Sequence, residues 1–126
     1  MNEHIHLDTN VVLRALGGDH ELSAFLQGKL PVVSVVVEME LRCYPLADEA
    51  EIMVIREFLS HARIQMFDER VKEEAIRIRK QHRLKLLDAM VAATARIDRY
   101  SLLTSDKAFK KLADEQSILF YEIPNS

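Results

Sequence analysis

Short apolar runs alternate with helical patterns along this chain, and that alternation predicts an α/β protein built on a parallel sheet. Three observations carry the reading. Strand-length runs at residues 5–7 and 31–34 each lead directly into a helical pattern. The segments between strands repeat apolar residues at three- and four-residue spacing. A second pair of short runs, at residues 102–103 and 118–121, returns late in the chain.

The elements follow in order. The run ending at Leu7 meets Asp8-Thr9-Asn10, a helix start, and the apolar stretch 11–16 closes at Gly17-Gly18. A short amphipathic segment covers residues 20–27. After the second strand, Ser34 is placed as the N-cap of a helix through Arg42, which Pro45 separates from the next segment. The helix expected over 48–62 opens on the capping pattern Asp48-x-x-Glu51 and carries Ile52, Ile55, Phe58 and Leu59 at helical spacing. A short strand over 63–67 precedes a helix over 68–82 with Val71, Ala75 and Ile78 on one stripe. The segment 88–97 is apolar nearly all round, which marks the buried helix. A short helix over 107–113 separates the last two strands.

The 126 residues read as one globular domain spanning residues 1–126. At 48% hydrophobic, with three Gly and three Pro, the chain is neither disordered nor collagenous. No apolar run approaches the roughly 20 residues that span a bilayer, and residues 1–7 have neither a basic nor an apolar leader region. One cysteine excludes an internal disulfide and fits a reducing compartment, so a cytoplasmic protein is expected. Seventeen basic against twenty acidic residues, net −3, are unlike a protein that coats nucleic acid by general attraction. Any nucleic-acid contact must be local, or must use the acids themselves to hold a metal.

Four acids fall at telling positions. Asp8 follows the first strand, Asp106 follows the strand at 102–103, Asp88 opens the buried helix, and Glu40 sits in the helix after the second strand. The carboxyl ends of parallel strands form the ligand crevice of such sheets. Clustered there, four carboxylates repel and raise one another's pKa values. A hard divalent cation relieves the repulsion, and Mg²⁺ suits a site that combines carboxylates with substrate phosphate. Taken singly, Asp8, Asp88 and Asp106 read first as ordinary N-cap or first-turn acids. Glu40 is harder to explain that way. Glu38 has Arg42 as its i+4 partner, whereas Glu40 shares a face with Val36 and Val37 and is expected to turn inward, where it needs a partner.

The same residues carry a family resemblance. Leu7-Asp8-Thr9-Asn10 resembles the opening motif of PIN-domain nucleases. The run SVVVEMEL from Ser34 to Leu41 is similar to their second motif, LDAMVAATA from Leu87 to Ala95 to their most recognisable stretch, and LTSDKAF from Leu103 to Phe109 to their last. Each motif alone is weak; four in order and in register are specific. The resemblance implies a three-layer α/β/α sandwich with a mainly parallel sheet, whose acidic pocket binds Mg²⁺ or Mn²⁺ and hydrolyses RNA phosphodiester bonds. Carried over by position, it places Asp8, Asp88 and Asp106 as direct or water-bridged metal ligands. Glu40 is placed to hold a second metal or orient the attacking water, with Asn10 and Thr104 as neighbouring polar groups. Chains of this size look most like VapC-type toxins, which implies an RNA substrate, an antitoxin partner and a homodimer. Arg14, Arg42, Arg83, Lys85 and Lys107 lie near the motifs as candidate phosphate contacts, with ordinary solvated surface charge as the competing reading of each.

Other constellations are poorer. His4-x-His6 forms a possible metal pair but has no third ligand nearby, so a satisfied or edge-facing pair is expected. Cys43 has no partnering His and is expected to be a small buried residue. Ser34 and Ser105 lack a nucleophile elbow, and there is no GxGxxG or Walker A motif. Eight aromatics are too few and scattered for base stacking. Met39, Met53, Met66 and Met90 are expected as core filler. Two alternatives stand beside the nuclease. One is a catalytically idle PIN scaffold that binds RNA or a partner protein. The other is a receiver-like signalling domain, against which counts Glu122, rather than Lys, after the last strand.

Overall fold

The computed structural model describes residues 3–45 and 47–122; residues 1–2 of the stretch read for a leader lie outside them. Five strands, β1 (Glu3–Leu7), β2 (Lys29–Ser34), β3 (Arg63–Gln65), β4 (Leu102–Thr104) and β5 (Ile118–Phe120), form one sheet in the order β3-β2-β1-β4-β5. Every pairing is parallel, with Glu3 opposite Lys29, His6 opposite Leu102, Val32 opposite Arg63 and Leu102 opposite Ile118. The chain steps from β1 through β2 to β3, then jumps back across β1 to β4 and β5. Because parallel crossovers are right-handed, the two directions of travel put their helices on opposite faces. One layer holds α1 (Thr9–Leu16), α2 (His20–Leu26), α3 (Val35–Arg42) and α4 (Glu49–His61). The other holds α5 (Glu69–His82), α6 (Leu86–Asp98) and a 3₁₀ helix (Lys107–Leu112). The order differs from the receiver-like arrangement 2-1-3-4-5, which removes the signalling alternative.

Local chemistry sets the helix starts. Ser34 Oγ accepts from Val37 N–H, and Asp48 and Glu51 form a reciprocal capping box. Asp19 and Asp68 cap α2 and α5 through Leu22 N–H and Val71 N–H. Gly18, at φ +98°, takes a backbone conformation costly for any residue with a Cβ, and so lets the chain turn from α1 into α2. The last two helices differ from the sequence pattern: α6 begins at Leu86, two residues before Asp88, and the segment that starts at Lys107 as expected winds as a 3₁₀ helix.

The core is the apolar sheet with α6 against it. Ile5, Leu7, Val32, Val33, Leu102 and Leu103 are buried, as are Ala89, Val91, Ala92, Ala93 and Ala95 of α6. These small α6 side chains allow the helix to lie close to the strands. Val71, Ala75 and Ile78 of α5 are buried as their stripe predicts. On α4 only Ile55 is buried; Ile52 is 43% exposed, and Phe58 and Leu59 are half-buried.

Several expectations are corrected. Met39, Met53 and Met66 are exposed, and only Met90 packs partly against the core. Cys43 is exposed, because it caps the C-terminus of α3 in the turn toward α4. The histidines, by contrast, match the satisfied pair expected of them. His6 is buried with Nε2 2.6 Å from Asp98 Oδ2, and His4 stacks on Tyr100. Burial holds the His6 pKa below its usual value despite the opposing pull of Asp98. Among the described residues, no helix is long and apolar enough to cross a membrane.

Candidate active site

The strand order reverses between β1 and β4, so the crevice at their carboxyl ends is the topological switch point of the sheet, where ligands bind in open α/β folds. Asp8 is the first residue past β1, and Asp106 lies two residues past β4. The sequence thus places one acid on each side of the crevice. The first turn of α6 adds Asp88, and the last turn of α3 adds Glu40.

Asp8 is the most constrained of the four. It is 9% exposed and caps α1; Oδ1 accepts from Thr9 N–H at 2.9 Å, and Oδ2 accepts from Thr104 Oγ1 at 2.7 Å. Thr104, fully buried, in turn accepts the Asp106 N–H at 3.0 Å, and Asp106 Oδ1 accepts from Ala108 N–H at 2.9 Å. One hydrogen-bonded chain therefore joins the ends of β1 and β4 to the 3₁₀ helix. Asn10 is exposed on the first turn of α1.

Electrostatics tie the acids together. Burial raises the Asp8 pKa; the Thr104 and Thr9 bonds pull it back, and the charges of Glu40 and Asp106 raise it further. Burial likewise raises the Asp88 carboxyl, with Asp106, Asp8 and Glu40 adding to the rise and Lys85 opposing it. These are the marks of neighbouring carboxylates, with Asp8 desolvated and Asp88 partly so. Asp88 has no hydrogen-bond partner among the described residues, so both of its oxygens are unengaged.

One expectation changes. Glu40 is exposed rather than turned inward, because its long side chain carries the carboxylate past the buried Val36 and Val37 to the crevice. There Glu40 Oε1 accepts from Thr9 Oγ1 at 2.6 Å, a contact between α3 and α1 that the sequence did not point out. Its only signal was the position of Thr9 next to Asp8. Glu38 stands 3.9 Å from Arg42, its expected i+4 partner. Among the described residues, no three His, Cys, Asp or Glu side chains are arranged to hold an ion. Like charges spread, and Asp8, Asp106 and Glu40 turn to neighbouring N–H and O–H donors.

The candidate cations divide. Arg14 is engaged, its Nε 3.1 Å from Asp19 Oδ2, and Tyr121 also donates to that carboxylate. Arg42 is the Glu38 partner. Arg83, Lys85 and Lys107 are exposed and form no ion pair among the described residues. Arg83 sits at φ 56° as the C-cap of α5, Lys85 is the N-cap of α6, and Lys107 opens the 3₁₀ helix beside Asp106. Three concavities lined by residues of α1–α4, β1 and β2 lie away from the acids, none of which is among their lining residues.

Strand order, crevice and acids define a class, α/β proteins with an acidic pocket at the switch point of a parallel sheet. The model of the PIN domain matches residues 5–115, and the chain belongs to that family. No curated protein sequence matches the chain. Among solved structures it is similar to a toxin–antitoxin complex from Klebsiella pneumoniae, at 25% identity and TM-score 0.80 over 94% of this chain and 99% of that one. It is also similar to FitAcB from Neisseria gonorrhoeae, at 26% identity and TM-score 0.75 over 91% and 96% of the two chains. VapBC2 from Rickettsia felis, bound to a promoter DNA fragment, shares the fold at 19% identity and TM-score 0.78, over 94% and 99%.

Proposed function

We propose that this chain is a divalent-metal-dependent endoribonuclease and the toxin of a toxin–antitoxin pair. The observation that carries the catalytic half is the gathering of Asp8, Glu40, Asp88 and Asp106 around the β1–β4 crevice, with mutual charge effects reaching from one to the next. PIN-family membership and the likeness to the Klebsiella pneumoniae toxin–antitoxin complex support the rest.

The donors present fit Mg²⁺ or Mn²⁺. They are carboxylate and hydroxyl oxygens with no sulfur, the set that hard cations take, and the Asp88 carboxylate accepts no hydrogen bond among the described residues. Asp8, Asp88 and Asp106 would hold the ion, with Glu40 holding a second ion or orienting the attacking water. A bound divalent ion supplies charge neutralisation to the phosphate and makes water acidic enough to attack at neutral pH. The chain's own residues do the positioning. Thr104 and Thr9 fix both Asp8 oxygens, Glu40 reaches in from α3, and Arg83, Lys85 and Lys107 offer the RNA backbone local positive charge beside an acidic pocket. Asn10, exposed on the same rim, is a further polar contact.

The partner half rests on the opposite kind of surface. Tyr44, Ile52, Met53 and Val54 are each at least 39% exposed, and grooves of about 560 and 630 Å³ run along α4 and beside α2. Such a face, larger than scattered surface apolar residues require, suits the apolar segment of an antitoxin chain. Ile76 on α5 and Leu86 and Leu87 on α6 are exposed as well and support the homodimer reading.

The test is cleavage of a mixed-sequence RNA by purified protein with Mg²⁺ or Mn²⁺, beside EDTA and Asp8→Asn. Cleavage abolished by both supports the nuclease and this site. Cleavage that survives Asp8→Asn removes the site assignment. No cleavage by partner-free protein that binds Mn²⁺ favours the idle scaffold.

A further inference from the structure

We infer that Thr9 is a positioning residue for Glu40, a role that rests on the reading of Glu40 as a working acid of the pocket. Thr9 touches two of the four acids by different atoms. Its backbone N–H donates to Asp8 Oδ1 at 2.9 Å, and its side-chain Oγ1 donates to Glu40 Oε1 at 2.6 Å, across 31 residues of sequence. The first bond is a capping contact that any residue but proline would supply. The second needs a hydroxyl.

The local geometry explains why a threonine works here. In the interior of a helix, a threonine hydroxyl commonly turns back on the carbonyl four residues earlier. Thr9 is the first residue of α1, so that carbonyl belongs to β1 and the hydroxyl is left to reach sideways to α3. The β-branch restricts χ1, so the hydroxyl direction is set by the backbone rather than by solvent. Glu40 is the opposite kind of side chain: exposed, long, and without another hydrogen-bond partner among the described residues. Tethering Oε1 fixes where the carboxylate sits and leaves Oε2 without a hydrogen-bond partner among the described residues. Glu38, two residues earlier, pairs instead with Arg42 on α3 itself and, among the described residues, makes no hydrogen bond across to α1.

The bond has a purely mechanical alternative, in which Thr9 simply ties α1 to α3. A double-mutant cycle separates the two roles, with Mn²⁺ affinity read by electron paramagnetic resonance and single-turnover RNA cleavage as the second readout. Thr9→Val keeps the branched shape and the backbone bond to Asp8 and removes only the donor. It is expected to weaken Mn²⁺ binding and slow cleavage about tenfold, the usual scale for groups that orient a metal ligand, with the KM for RNA unchanged within about twofold. Thr9→Ser restores the donor and recovers both to within about threefold. In a Glu40→Gln background Thr9→Val adds no further loss, since it acts through the group already changed. Thr9→Ala replaces the valine variant in the cycle if that one does not fold.

Wild-type Mn²⁺ affinity in Thr9→Val overturns the inference, and so do losses from Thr9→Val and Glu40→Gln that add in full. A serine variant as damaged as the valine one also overturns it, by pointing to packing. If the wild type binds Mn²⁺ but cleaves no RNA, the nuclease reading falls while the Mn²⁺ cycle still decides the role of Thr9. A wild type that binds no Mn²⁺ overturns both.

Discussion

Thr104 Oγ1 donates a 2.7 Å hydrogen bond to Asp8 Oδ2 across the junction of β1 and β4, and it does so from a fully buried position. The same oxygen accepts the Asp106 N–H, so one hydroxyl serves two of the acids that flank the crevice. Thr104→Val keeps the shape and strands both partners. Unfolding in urea should show a loss of about 1–3 kcal/mol, the cost of buried polar groups left unpaired. RNA cleavage should fall about 10–100-fold, and Thr104→Ser should recover most of it. A valine variant that is destabilised but cleaves at the wild-type rate would reduce Thr104 to a structural part.

The rim cations make a sharper distinction than their number in the sequence suggests. Lys107 is exposed and unpaired among the described residues, whereas Arg14 is spent on Asp19. Lys107→Ala should therefore raise the KM for RNA and lower the salt dependence of binding by about one phosphate contact, with little change in stability. Arg14→Ala should do the reverse, lowering the melting temperature while leaving the salt slope alone. Binding titrations at several ionic strengths, beside thermal melts, check the pair. Equal effects on RNA binding would show that the Asp19 pairing gives way to phosphate.

Much of this molecule could be read before its fold was known, and the reason is that its signals are local. Ser34 as a cap, the Asp48–Glu51 box and the apolar girth of α6 each depend on neighbours a few residues away, and all three stand. The acids could be ranked because parallel topology sends strand ends to one crevice. What escaped depends on distance in sequence. Spacing on the helix put Glu40 on the apolar face, but not how far its side chain reaches beyond that face, nor that Thr9 meets it there. The Tyr121–Asp19 bond that occupies Arg14's partner joins residues 102 apart. The exposed methionines failed for a related reason: hydrophobicity marks a side chain as fit for a core or for a partner, and sequence alone does not say which.

A last prediction concerns the charged seam that binds α5 to α6 and to the turn before β5. Arg77 donates to Glu74 at 2.5 Å and to Glu115 at 2.9 Å, while Arg96 and His82 reach Glu115 at 3.3 and 3.1 Å. The Glu115 side chain is 27% exposed, sheltered enough for the network to act but not a desolvated core. The Arg77 hydrogen bond, first among the causes, holds the Glu115 carboxyl below its ordinary value near 4.5. An acid whose folded pKa is depressed adds stability that is complete above the unfolded value and is lost as pH falls through the folded one. Glu115→Gln keeps an acceptor for Arg77 but removes the charge, so at pH 7 it should cost about 1–2 kcal/mol in urea unfolding. The gap between wild type and variant should stay constant down to the ordinary carboxyl range and then narrow as Glu115 takes up its proton. A gap that persists unchanged at pH 3 would assign the cost to lost packing or hydrogen-bond geometry rather than to the charge, and RNA cleavage at pH 7 should be unaffected in either case because the seam does not touch the acids of the crevice.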